Sequence, residues 1–331
     1  KDKFMRLATV GTSVITHHFL DALKHEPFFE LAYVYSRSEE KGLEFAKQYD
    51  VPVICDWNTL LNKEDIDVLY IASPNDVHFA QCMDALRANK HVICEKPFVS
   101  NMREFKELME VVYETKHFCF DAMTVMHLPN LQVIKDSLKE VEPIKLMNSA
   151  MVQYSSRYDL LAQGIIPNIF DLNHSGGALM DLGVYPLGLS IALFGKPESL
   201  HYECNKYVNG IDLSGVLTLK YPDKIVVCVI GKDSRGQNFT YISGENGAIV
   251  IPEQASRLVS VQIVKPKETK DVGVAQAQNA MVHEIQAFAS ILKNSDWGVY
   301  ESHVKNTEIL MSCLDDVRKQ VNIVFKADQL V

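Results

Sequence analysis

The 331-residue sequence has no run of about 18 apolar residues, no Cys-x-x-Cys pair and no block of basic residues. The first absence removes the expectation of a membrane-spanning helix. The seven cysteines stand singly at Cys55, Cys82, Cys94, Cys119, Cys204, Cys228 and Cys313. That scatter argues against a disulfide frame and against a zinc site, so no metal is expected. Most of them sit in apolar runs, where a free thiol acts as a small hydrophobe. The pattern fits a reducing, cytoplasmic setting. With 33 basic against 42 acidic residues the formal net charge is −9, which disfavours nucleic acid as a partner. The opening stretch, KDKFMRLATVG, runs into a strand pattern without the apolar core of a signal peptide, so none is expected.

What is present is an ordinary globular composition, 47% hydrophobic and 23% charged, long enough for two domains. Up to residue 122, short apolar runs alternate with helical periodicity. RLATVG precedes ITHHFLDALKH, ELAYVYS precedes SEEKGLEFAKQYD, DVLYIAS precedes NDVHFAQCMDALRANK, and HVICEK precedes the helical run beginning VSNMREF. Such alternation predicts right-handed βαβ units on a parallel sheet, a Rossmann-type α/β domain over residues 1–122. The texture then changes. Long alternating runs such as IKLMNSAMVQYSS, DLSGVLTLKY and NFTYISGENGAIVIP are joined by short turns. They predict an α+β domain over 123–331 with a large, mostly antiparallel open sheet covered on one face. This second domain is expected to bind substrate and to form the oligomer, a homodimer being the commonest solution.

Glycine is scarce where a dinucleotide fold uses it. The first strand-to-helix turn, Gly11-Thr12-Ser13-Val14-Ile15-Thr16, keeps only the first of the three glycines of G-x-G-x-x-G. It still opens a helix, where free N–H groups favour phosphate. Ser13 and Thr16 are read here as small hydroxyl donors. The second strand ends at Ser36-Arg37-Ser38, where a carboxylate about 20 residues past the loop would bind the ribose of NAD. An arginine with hydroxyls suits a 2′-phosphate instead. The expected cofactor is therefore NADP, with NAD possible.

A third feature is VICEKPFVSN, residues 92–101, an apolar strand that ends in Glu95, Lys96 and Pro97. Taken with GTSVIT, ASPNDVH (Ser73, Pro74, Asn75 and His78) and GGALMDLGVYPL (Asp181 and Tyr185), it resembles the Gfo/Idh/MocA oxidoreductases over nearly the whole chain. Within that family the pattern is most similar to dimeric dihydrodiol dehydrogenase and NADP-dependent xylose dehydrogenases. The resemblance implies that Glu95-Lys96-Pro97 ends a strand at the nicotinamide end, with Lys96–Pro97 cis, and that Ser73-Pro74-Asn75 lies along the cofactor. His78 is expected to start a helix beside it. Lys96, Tyr185 and Asp181 are the implied catalytic residues.

Hydride transfer from an alcohol leaves a hydroxyl proton to be taken up. A phenol titrates near 10, too high for a good base at neutral pH, and a nearby ammonium lowers that value. Tyr185 is thus assigned the proton and Lys96 its tuning, with Asp181 orienting Lys96 or a substrate hydroxyl. Two positions depart from the family pattern: Met126, beside His127, and Asn168 stand where arginines are expected. The reading is an NAD(P)-dependent dehydrogenase or reductase acting on a hydroxyl or carbonyl carbon of a sugar-like or diol substrate. Its rival is a catalytically silent NAD(P)-binding sensor on the same scaffold.

Overall fold

The computed structural model describes residues Phe4–Gln329. They form two compact units. The first joins the chain up to Met123 with Asn279–Val304, and the second joins Thr124–Gln278 with the stretch from Lys305 onward. The sequence pattern suggests one crossing after residue 122; instead the chain returns to the first unit for residues 279–304.

In the first unit, β1 (Met5–Val10), β2 (Phe29–Tyr35), β3 (Val53–Ile54), β4 (Val68–Ile71), β5 (His91–Glu95) and β6 (Cys119–Ala122) form one sheet in the order β3-β2-β1-β4-β5-β6. Every pairing is parallel. Such strands are covered on both faces and read as continuous apolar runs: all four residues of β4, Val-Leu-Tyr-Ile, are fully buried. The helices between them are α1 (Val14–Leu23), α2 (Glu39–Ala46), α3 (Trp57–Leu61), α4 (His78–Arg87) and α5 (Met102–Thr115). Side chains start several of them. Ser38 Oγ accepts from Lys41 N–H at 3.3 Å, and Asn101 Oδ1 accepts from Glu104 N–H at 2.9 Å. The strand order reverses at β1, between β2 and β4, and open α/β sheets bind nucleotides outside the carboxyl ends at such a point.

The second unit holds α6 (Pro129–Val141), β7 (Ile144–Val152), α7 (Asp159–Ala162), α8 (Val184–Phe194) and the strands β8 (Ser199–Lys206), β9 (Asp212–Lys220), β10 (Ile225–Gly231), β11 (Phe239–Gly244), β12 (Gly247–Ile251), β13 (Gln262–Lys265) and β14 (Glu268–Asp271). The eight strands run in the order β14-β13-β12-β11-β7-β10-β9-β8. All neighbours are antiparallel except β7 and β10, so the sheet is mixed at its centre. One face is fully covered at Met147, Val226, Leu217 and Ile242, where α8 packs and Ser190 Oγ reaches Met147 Sδ at 3.9 Å. Residues of the opposite face, Leu146, Val216, Ile225 and Tyr241, are 38–52% exposed.

The segment Leu172–Phe194 is long and apolar enough to span a membrane by composition alone, but 72% of its most apolar window is buried inside the protein. It is a core helix. After the sheet come α9 (Met281–Asn294) and α10 (Trp297–Gln320), the latter passing from the first unit into the second. All seven cysteines are free thiols, five of them buried.

Candidate active site

In the first unit the expected cofactor residues gather at the carboxyl ends of β1, β2, β4 and β5. Gly11 follows β1 with φ +117°, and a Cβ there would stand 2.7 Å from the carbonyl oxygen of Ala72. Only glycine fits that approach. Ser13 is exposed and precedes α1; its side chain makes no bond to the first turn, while its carbonyl accepts from Thr16 N–H at 3.1 Å and from His17 N–H at 3.4 Å. Val14 and Ile15 present apolar surface there, 68% and 37% exposed. Thr16 departs from expectation: its hydroxyl is fully buried, at the position where the third glycine would pack helix on strand.

Ser36 is also turned inward. Its hydroxyl donates to the Ser38 carbonyl at 2.8 Å and accepts from Ser38 N–H at 3.2 Å. Those bonds shape the turn that exposes Arg37, which has no salt bridge among the described residues. A 2′-phosphate binder needs an uncommitted guanidinium of this kind.

Ser73 and Pro74 lead into a short turn, Asn75–Val77, that runs into α4. Ser73 Oγ donates to Gln81 Oε1 at 2.5 Å. His78 is 1% exposed, and its two ring nitrogens each lie 2.9 Å from a backbone carbonyl, that of Pro97 and that of Ser73. It clips the 73–78 turn to the turn after β5.

From Val92 to Asn101 every residue is buried except Lys96. The Lys96–Pro97 bond is cis. Glu95 lies beneath the turn that carries Lys96. It is 9% exposed, accepts from the Tyr70 hydroxyl at 2.7 Å through Oε1, and accepts from Lys96 N–H at 3.3 Å through Oε2. Burial pushes the Glu95 carboxyl above the usual range, opposed by the Tyr70 hydroxyl and the Lys96 ammonium. Burial, then Glu95, holds the Tyr70 phenol well above its ordinary value. Glu95 therefore anchors the turn from within and delivers Lys96 to the surface.

In the second unit, Asp181 lies in a π-helical turn, Leu179–Gly183, that continues into α8. Such turns are frequent at functional sites. From Ser175 to Ile191, Asp181 and Tyr185 are the only residues not buried. The turn is held from beneath: Asp212 Oδ2 accepts from Leu179 N–H at 2.7 Å and from the Tyr202 hydroxyl at 2.6 Å. Burial raises the Asp212 carboxyl, against these two bonds. Gly177, with φ +104°, allows Asp212 this close, because a Cβ would collide with its Oδ1.

Lys232 is a residue the sequence did not single out. Its ammonium lies 2.5 Å from Asp181 Oδ2, with the two side chains 9% and 25% exposed. Asn168 is exposed in a short turn, and Met126 and His127 are half-buried in the turn after β6.

Comparison with known proteins places the chain in a family. Residues 5–121 match the Gfo/Idh/MocA oxidoreductase family, NAD-binding Rossmann fold, and residues 149–250 match the family's C-terminal domain. The chain belongs to the Gfo/Idh/MocA family. Its relatives in that family include scyllo-inositol 2-dehydrogenase (NADP(+)) of Bacillus subtilis (strain 168), 31% identical over 98% of this chain and 99% of that enzyme. Trans-1,2-dihydrobenzene-1,2-diol dehydrogenase of Mus musculus is 25% identical over 98% of this chain and 99% of its own length. A 3-ketoreductase from Actinomadura kijaniata, solved with NADP and TDP-benzene, has the same fold, with a TM-score of 0.86 at 21% identity, covering 96% of this chain and 97% of that one. As a Gfo/Idh/MocA member the protein is an NAD(P)-dependent oxidoreductase.

Proposed function

We propose that the protein interconverts a secondary alcohol and a ketone, or an alcohol and an aldehyde, on a sugar, cyclic polyol or diol, with NADP(H) preferred over NAD(H). The observation that carries this reading is the pair Asp181 and Tyr185, one turn apart and the two partly exposed residues of an otherwise buried segment. A core-facing aromatic would not surface beside a carboxylate. The inositol and dihydrodiol relatives act on rings with adjacent hydroxyls, which a carboxylate and a phenol on one face suit.

The nicotinamide supplies or accepts the hydride when bound, and the chain's residues do the rest. Gly11 and the start of α1 take the pyrophosphate, and Arg37 takes the 2′-phosphate. Tyr185 gives a proton to the substrate oxygen in reduction and takes one in oxidation, while Lys96 supplies the ammonium that makes this workable near neutral pH. Asp181 accepts a hydrogen bond from a neighbouring substrate hydroxyl. The first unit is the dinucleotide binder, and the second binds substrate and forms the oligomer.

The open sheet face with Leu146, Val216, Ile225 and Tyr241 is proposed to meet a second copy of the chain, in the cytoplasm. A two-fold axis lets one apolar patch cover its own copy. Light scattering should return a dimer, and a monomer at micromolar concentration would count against it. The activity is tested by offering NADP(+) with inositols, trans-dihydrodiols and aldoses, and NADPH with the matching ketones, following cofactor absorbance. Turnover on at least one ring polyol or diol is expected; no turnover across the panel, despite cofactor binding, would refute the reading.

A further inference from the structure

We propose that Lys232 is a positioning residue that fixes the carboxylate of Asp181 as an acceptor for a substrate hydroxyl. This rests on the reading of Asp181 and Tyr185 given above. Lys232 follows β10 directly, and its backbone is tied on both sides. Its N–H donates to the Leu213 carbonyl at 2.8 Å, and its carbonyl accepts from Ser155 N–H at 2.9 Å. One bond goes to β9 and the other to the chain leaving β7, the two neighbours of β10 at the sheet centre. The side chain leaves this rigid point and runs under cover, 9% exposed, to place Nζ 2.5 Å from Asp181 Oδ2.

Lysines so covered are found paired, because an unpaired ammonium out of water is costly. A charge-assisted bond of this length commits Oδ2 and fixes the plane of the carboxylate. The turn that carries Asp181 is pinned independently by Asp212 and Tyr202, so Lys232 acts on the direction of the side chain rather than on the backbone. A carboxylate aimed in this way selects substrates with a hydroxyl beside the reacting carbon over those with hydrogen there.

The test compares Lys232→Met, Lys232→Gln, Lys232→Arg, Asp181→Asn and the double variant Lys232→Met/Asp181→Asn. Crystal structures of the Met and Gln variants should show Asp181 in a different rotamer, and the Arg variant should keep it. Asp181 unmoved in both Met and Gln variants overturns the proposal, whether or not a substrate has been found. On a ring polyol turned over by the wild type, Lys232→Met should lower kcat/KM by about 10- to 100-fold. It should leave NADPH affinity unchanged, and the loss should shrink on a substrate lacking the adjacent hydroxyl. The double variant should be no worse than the poorer single variant. Losses that multiply, or a Lys232→Met enzyme equal to wild type, overturn the proposal. A wild type inactive on the whole panel defeats the substrate reading instead, and the rotamer of Asp181 still decides the role of Lys232.

Discussion

The Tyr70 hydroxyl, buried in the centre of the first sheet, donates a 2.7 Å hydrogen bond to Glu95 Oε1. Both groups belong to adjacent parallel strands, β4 and β5, and the bond secures the turn from which Lys96 emerges. Tyr70→Phe keeps the ring stacked on Phe19, whose centroid lies 3.6 Å away, but leaves a buried carboxyl oxygen without its donor. The expected cost is about 1–3 kcal/mol in urea unfolding. Unchanged stability would mean that Glu95 is satisfied some other way.

Arg37 carries the cofactor prediction. It is exposed and has no salt bridge among the described residues, so its guanidinium is available to a 2′-phosphate. Arg37→Ala should weaken NADPH binding by about 10- to 100-fold, the worth of a charged hydrogen bond. NADH binding should scarcely change. Calorimetry showing equal affinity of the wild type for the two cofactors would remove the basis of the claim.

A pH prediction follows from His91, at the opposite end of β5. Burial, assisted by His117 with its ring centroid 4.8 Å away, lowers the His91 imidazole to about 3. Its Nδ1 accepts from Phe118 N–H at 2.9 Å, which requires an unprotonated nitrogen. The unfolded chain takes up this proton near 6.5 and the folded one only near 3, so the unfolded state binds more protons in between. The contribution of His91 to stability is therefore present above 6.5 and lost as the pH falls towards 3, by at most about 1.4 kcal/mol per pH unit. NMR should show the His91 ring neutral at pH 5, and a ring that titrates near 6.5 would contradict the assignment.

The sequence showed the βαβ alternation because buried parallel strands are continuous apolar runs, and each run from RLATVG to HVICEK fell on a strand. It also separated the second sheet by its period-two alternation. It did not show that β7 and β10 pair in parallel, since alternation fixes a face and not a direction. For the same reason Lys232 went unread: its partner Asp181 lies 51 positions away, and the mixed sheet alone brings them together. Ser36 and Thr16 looked like ligands by residue type, and Glu95 by its neighbour. The side of the turn that Ser36 and Glu95 take depends on their packing against Gly42 and Tyr70, which spacing does not encode.

The central claim is that Tyr185 carries the proton while hydride moves to or from the substrate carbon. The most direct test is the turnover of Tyr185→Phe with NADP(H) on the best ring polyol or diol, measured beside cofactor affinity. A positioned acid–base group contributes about 10²–10⁴-fold, so turnover should fall by at least about 10²-fold with cofactor binding intact. A Tyr185→Phe enzyme that keeps full turnover would contradict the account.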